Sequence, residues 1–408
     1  MTPNSLSRSI QSATHMELGG TSAICAIGAM IGVLFAGSTV VTPLYVIYKQ
    51  EFGFSQISLT LIYAVYVIGN LTALLLFGRL SDQIGRRRAA AIAMAIAIVG
   101  ALVFLFARGI ASLYLGRVLS GVAIGIGAGT GTAWLAELIA DDEKTRATVI
   151  ATSANFAGLG IGALIAGMLA EYSPWPLQLP FAVYLFALFL MAALALWTRE
   201  TVSQPLPSIA QVPMRPRIGV PTDIRAQFIA PAVTGFGAMA LVGFYAALAP
   251  TMLADQLHET SHAVAGAIFL EIATVVAVGI VATQSLSSRA AMLWALALML
   301  PSVALLVAAQ LEGSIIILII ATSACGLAAG LGYRGSLQVV NQIAPADRRA
   351  EVVSAYLVCV FSGNALPVIG VGVISTLASP TSASLVFAAT IAAFAFIALV
   401  FGSRYAPE

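Results

Sequence analysis

Gly78-Arg79-Leu80-Ser81-Asp82-Gln83-Ile84-Gly85-Arg86-Arg87-Arg88 is a charged island in an apolar chain. Apolar runs flank it at 57–78 and 89–107. Each is close to the roughly 20 residues with which a helix crosses a bilayer. The stretch therefore reads as a tight loop between two spanning helices. Gly78 and Gly85 permit the turn. Asp82 can accept hydrogen bonds from a helix N-terminus or pair with an arginine, and the arginines anchor the loop on one side of the membrane.

The same alternation runs through all 408 residues. The chain is 60% hydrophobic and 9% charged, and its mean hydropathy is +0.98. Soluble domains are about a quarter charged, so this chain takes lipid as its solvent. Expected spans are 22–47, 57–78, 89–107, 111–137, 148–170 and 179–198, then 227–250, 263–283, 290–309, 314–341, 351–377 and 382–402. This predicts an all-α polytopic membrane protein of twelve helices. Its expected parts are an N-terminal tail (1–21), a six-helix bundle (22–198), a linker rich in Pro and Arg (199–226), a second bundle (227–402) and a short tail (403–408). Residues 1–20 lack the apolar core of a cleavable signal, so the first span is expected to direct insertion.

Charge sets the orientation. With the N-terminus in the cytoplasm, fifteen of the 19 Lys and Arg fall in cytoplasmic segments. Lys49 and Arg108 fall outside, and Arg117 and Arg334 lie within helices. Both termini are therefore expected in the cytoplasm. An offset of 204 residues, half the chain, sets Gly131-Thr132 against Gly335-Ser336 and Ile139-Ala140 against Ile343-Ala344. It also brings the loop Asp141–Arg146 opposite Asp347–Arg349. Two parallel six-helix repeats account for this. Cys25, Cys325 and Cys359 all sit in apolar runs and read as small fillers.

The opening loop resembles the signature loop of the major facilitator superfamily, a G-x-L-[AS]-D-x-x-G-R-[RK] core between helices 2 and 3. The match comprises Gly78, Leu80, Ser81, Asp82, Gly85, Arg86 and Arg87. With the topology and the repeat, the resemblance covers essentially the whole chain. It implies two pseudo-symmetric bundles around a central cavity. It also implies a cytoplasmic gate at Gly78, Asp82, Gly85, Arg86 and Arg87, with Asp82 holding the two halves together in the outward-open state. The equivalent second-half loop, Gln284–Arg289, has no Asp, so such a latch is asymmetric.

Helix 4 carries Arg117 with Gly121, Gly125 and Gly129 at four-residue spacing, a stripe that lets another backbone approach. Arg117 and Gly121 look like the family's R-x-x-x-G motif of proton-coupled members. A guanidinium at that depth needs a carboxylate, a carbonyl or water, so it is expected to face the cavity; the alternative is snorkelling to the outer surface. Helix 5 has Ala154, Gly158, Gly162 and Ala166. It is similar to the antiporter motif ending G-P-x-x-G-G, with Ala163 in place of the proline and Ala166 in place of a glycine. Export is thereby preferred over import, and the motifs come nearest to proton-coupled exporters of drugs and small solutes.

Glu271 is the only carboxylate deep in a span. A desolvated carboxyl can be neutral at one stage of a cycle and charged at another, which suits proton coupling alongside Arg117. The alternative is a permanent structural pair, with Arg334 as a candidate partner. Further polar or aromatic positions at membrane depth are Tyr45, Tyr63, Tyr66, Asn70, Asn155, Tyr245, Tyr333, Tyr356 and Asn364. Of these, Tyr45, Tyr66, Asn70, Asn155, Tyr245, Tyr333 and Asn364 join Arg117 and Arg334 as cavity candidates, with interhelical packing as the competing role.

Two short motifs are set aside. Asn70-Leu71-Thr72 fits a glycosylation acceptor but lies within a span. His258-Glu259-Thr260-Ser261-His262 fits the H-E-x-x-H zinc pattern, yet it occupies a short external connection without an evident third ligand.

The expected function is a proton-coupled antiporter exporting a small organic solute by alternating access. Proton-linked uptake of an organic acid or sugar is the alternative, and an intramembrane zinc metalloprotease a distant one. Two intramembrane arginines against one carboxylate favour an anionic or zwitterionic substrate. No catalysis, cofactor or metal is expected. The partners are a small molecule, protons and the lipid bilayer, with no nucleic acid, and the protein is expected to be a monomer in a prokaryotic inner membrane.

Overall fold

The computed structural model describes residues 17–139, 144–206 and 218–405. The N-terminal tail up to residue 16, the acidic loop 140–143 and linker residues 207–217 lie outside it. Twelve helices are long and apolar enough to span a membrane. They are α1 (Gly20–Thr39), α2 (Gln56–Phe77), α3 (Arg86–Leu105), α4 (Ile110–Leu138), α5 (Lys144–Tyr172) and α6 (Leu179–Trp197). The second half supplies α7 (Arg225–Ala247), α8 (His262–Ala282), α9 (Ser288–Leu311), α10 (Ile315–Ile343), α11 (Arg349–Leu377) and α12 (Pro380–Tyr405). Among the described residues there is no strand, only a bridge between Leu18 and Thr198.

Each expected span has its helix, with one instructive difference. The run 22–47 is not one helix: α1 ends at Thr39, and a separate helix, Tyr45–Phe52, follows. Pro43 has no N–H to give and clashes with the preceding turn, so the helix breaks there. The second half repeats the device, because α7 stops at Ala247 and Ala249–Gln256 restarts with Pro250 in its first turn.

The helix pairings are the same in both halves. α1 packs on α4, α5 and α6, as α7 packs on α10, α11 and α12. α4 lies against α2 and α3, as α10 lies against α8 and α9. The two bundles meet chiefly through α2 on α11 and α5 on α8. One end of the molecule, the basic end, carries Arg79, Arg86, Arg87, Arg88, Arg348 and Arg349. At the far end the halves are in contact: Thr60 of α2 against Gly372 of α11, and Ala163 of α5 against Gly266 of α8.

The opening loop is a single helical turn, Leu80–Ile84, closed by Gly85 at φ +97°. That φ favours glycine, and a Cβ there would also run into Glu200. The Glu200 carboxylate receives the N–H groups of Arg86 at 2.8 Å and Arg87 at 3.0 Å, capping α3. The first residues of the linker are thus folded onto the first bundle.

Candidate functional site

A cavity of about 550 Å³ lies between the bundles, within the size range of small-molecule sites. It is lined by α1, α2, α4 and α5 on one side and by α7, α8, α10 and α11 on the other. It runs from Arg117 toward the basic end, where Leu74, Ala136, Thr148 and Leu337 line it, and Gly129 and Thr132 on its wall are exposed. Most of its lining is apolar. Among the described residues, Arg117 is the one charged residue on it.

Local sequence explains how Arg117 is held. Below Pro43 the turn tightens: Thr42 N donates to Thr39 O instead of continuing the α-helical ladder, and Ser38 O is left free. Arg117 Nη1 donates to that carbonyl at 2.7 Å. Gly121, one turn after Arg117, brings α2 close, since a Cβ there would strike the Tyr66 carbonyl oxygen. As a result both Tyr63 and Tyr66 lie beneath the guanidinium, with Cζ at 5.2 and 4.8 Å from the ring centroids. Arg117 is fully buried, and no carboxylate pairs with it among the described residues. The charge is turned inward and does not snorkel.

The same tyrosines reach across to the second bundle. Tyr63 Oη donates to Asn364 Oδ1 at 2.7 Å, and Asn364 Nδ2 donates to Tyr66 Oη at 2.9 Å. Asn70 Nδ2, Arg117 Nε and Asn155 Oδ1, on residues that line the cavity, are buried without a hydrogen-bond partner. A buried polar atom without a partner is a candidate ligand contact.

Of the residues singled out from sequence, Tyr63, Tyr66, Asn70, Arg117, Asn155, Tyr333 and Asn364 line this cavity. Four others do not. Tyr45 is buried past the end of α1, and Tyr245 is buried in the second bundle, where Thr322 Oγ1 donates to its hydroxyl at 3.2 Å. Arg334 closes the C-terminus of α8, donating to the carbonyl oxygens of Thr283, Gln284 and Leu286. The alternative of a permanent Arg334–Glu271 pair is not formed: three carbonyls at a helix end satisfy the guanidinium. Glu271 itself accepts from Ser323 on α10 at 2.6 Å, away from the cavity.

At the basic end, Arg86 collects two carboxylates. It pairs with Asp82 at 2.5 Å and with Glu137 at the end of α4 at 2.6 Å. Thr201 Oγ1 also donates to Glu137. Arg87 pairs with Glu17 at 2.7 Å and donates to Thr198 O. Every partner found for Asp82 here belongs to the first bundle. Glu137 and Glu200 escaped the sequence reading. Their only signal was a lone carboxylate at the end of an apolar run, on the same side as the arginines. His258 and His262 share no helical face, since His258 lies in a turn at φ +56° and His262 opens α8.

The sequence matches the Major Facilitator Superfamily over residues 26–367. The chain belongs to that family. The transporter is 26% identical over 156 residues to the MFS-type transporter paaT of Penicillium rubens, covering 38% of this chain and 27% of that one. It is 30% identical over 103 residues to the sugar transporter ERD6-like 15 of Arabidopsis thaliana, covering 25% and 21%. The matched regions thus span about a quarter of the length of these curated relatives. Its fold is that of a D-xylose–proton symporter, with a TM-score of 0.72 at 14% identity over 95% of this chain and 98% of that one. A bacterial homolog of the human lysosomal transporter Spinster, inward-facing and unoccupied, gives 0.70 at 14% identity over 97% and 99%. The human organic anion transporter MFSD10 gives 0.67 at 15% identity over 92% and 99%.

Proposed function

We propose that the transporter carries a small organic acid, an apolar body bearing a carboxylate, by alternating access through the central cavity. The observation that carries this reading is Arg117: a buried guanidinium with no carboxylate partner on an otherwise uncharged, largely apolar wall. An arriving anion supplies the missing countercharge, and Asn70 and Asn155 offer further hydrogen bonds.

Direction follows from weaker signals. The positive-inside rule places the basic end in the cytoplasm, so the cavity faces the side from which an exporter loads. The small-residue face of α5 supports export by proton antiport, and Gly158 and Gly162 pack on Gly32 and Ala36 of α1. A second reading, proton-linked uptake of the acid, is favoured by the lining itself. Among the described residues no carboxylate lines the cavity to hold a coupling proton, and a substrate acid can carry its own.

Thermal stabilisation of purified protein by a ligand panel tests the substrate class, followed by flux in liposomes under each gradient polarity. Hydrophobic carboxylates should stabilise the wild type, while their amides and Arg117→Ala should give no shift. Equal stabilisation by amides, or an undiminished shift in a folded Arg117→Ala, removes the organic-acid reading.

A further inference from the structure

Glu271 stands midway along α8 and points to neither the cavity nor a cation. The exposed positions of α8 include Ala267, Thr274 and Val278, and Glu271 falls among them at helical spacing. On α10, Ile319 and Ile320 are exposed and lie four and three residues before Ser323, which places Ser323 on the same outer flank. The Ser323 hydroxyl donates to Glu271 Oε1 at 2.6 Å. The two helices therefore present a polar pair in their outer seam, at mid-depth, with Ala267 one turn before Glu271, Thr274 one turn after it and Ile319 and Ile320 one turn before Ser323.

The surroundings supply no countercharge. α5 meets α8 with Gly160, Ala163 and Leu164. From α7 the titratable neighbour is Tyr245, a neutral phenol that is itself hydrogen-bonded to Thr322. The ion pairs of the described residues do not include Glu271. A bare carboxylate facing hydrocarbon is strongly disfavoured, so the resting group is the neutral acid. In that neutral form Oε2, the oxygen that Ser323 leaves free, is the one left to carry the acid proton.

We propose that Glu271 and Ser323 form a lateral site, reached from the bilayer, for the head group of a lipophilic amine. Such a ligand dissolves in the hydrocarbon uncharged. The proton of Glu271 passes to the amine nitrogen, leaving an ammonium paired with the carboxylate, and Ser323 steadies Oε1. The site differs from the cavity in both sign and access: Arg117 calls for an anion from water, and Glu271 for a base from lipid.

The test uses the full-length protein in liposomes and does not depend on transport. N,N′-dicyclohexylcarbodiimide partitions into hydrocarbon and adds to protonated carboxyls; a water-soluble carbodiimide is the control, and mass spectrometry maps the adducts. The hydrophobic reagent should modify Glu271 in the wild type, and Glu271→Gln should lack that adduct. Dodecylamine should slow the modification about tenfold, the scale of a hydrogen bond to a charged group, and dodecanol should not. Ser323→Ala should keep the adduct and lose most of the amine protection. A Glu271 that stays unmodified, reacts equally with the soluble reagent, or is protected equally by dodecanol overturns the proposal.

Discussion

Tyr63 of α2 and Asn364 of α11 share a 2.7 Å hydrogen bond between the two bundles, directly beside the buried Arg117. The amide of Asn364 also donates to Tyr66, so one side chain is clasped by both tyrosines that cradle the guanidinium. A ligand that draws on Arg117 thereby acts on groups that hold the halves together. Asn364→Ala removes both bonds, each worth about 1 kcal/mol net. We expect a rise of up to about thirtyfold in the ratio of far-end-open to far-end-closed protein, the equivalent of about 2 kcal/mol, read by cysteine labelling from that side. Unchanged labelling would mean that the clasp does not bias the equilibrium.

Arg117→Lys separates charge from geometry. An ammonium keeps the charge but loses the planar stacking over Tyr63 and Tyr66. Flux should fall about tenfold or more, as befits the loss of roughly 1.5–3 kcal/mol from a charged hydrogen bond, while the melting temperature moves little. A melting curve that collapses with the flux would assign Arg117 to folding.

Gly121 tests the approach of α2 to α4. Gly121→Leu pushes a side chain into the Tyr66 carbonyl and should cost about 1–3 kcal/mol, the usual penalty of overpacking. Gly370→Ala, where a Cβ meets nothing within 4 Å, serves as the control and should melt like the wild type.

At the basic end, the Arg86 side chain is only 6% exposed, against 37% for Glu137 and 55% for Asp82. Removing the better-buried partner should hurt more. Glu137→Ala leaves Arg86 Nε and Nη2 without their acceptor and should cost about 1–3 kcal/mol, whereas Asp82→Asn should cost under about 1 kcal/mol. Equal losses in thermal denaturation would contradict this ranking. In accessibility assays, Asp82→Asn is expected to favour the state open at the basic end, and unchanged accessibility would count against an Asp82 latch.

At the far end, Glu171 of α5 accepts from the His262 N–H at 2.8 Å, capping α8 across the two bundles. Glu171→Ala forfeits a carboxylate–helix interaction of about 0.3–1 kcal/mol. The far side should become two- to fivefold more reactive to an impermeant thiol reagent at a nearby engineered cysteine. No change would show that the closed far end does not rely on this cap.

The sequence by itself determined the number of helices and the family, because hydropathy summed over a span and the spacing of Gly78–Arg88 are properties of the chain alone. It also marked Arg117 as a charge at membrane depth, with cavity or outer surface as its two destinations, and the contacts with Ser38, Tyr63 and Tyr66 decided for the cavity. Tertiary structure alone decided which way each remaining polar side chain points. Glu271 and Phe269 are two residues apart on α8, yet only Phe269 meets the cavity. Arg334 and Tyr333 are adjacent, and only the tyrosine does. Each residue along a helix rotates the side chain by about 100°, so a face becomes lipid, partner helix or cavity only when neighbouring helices fix its rotation. That depends on close backbone contacts such as Gly121 against Tyr66 and on the break at Pro43 that frees Ser38 for Arg117. Contacts of this kind join residues far apart in the chain, where no local pattern announces them.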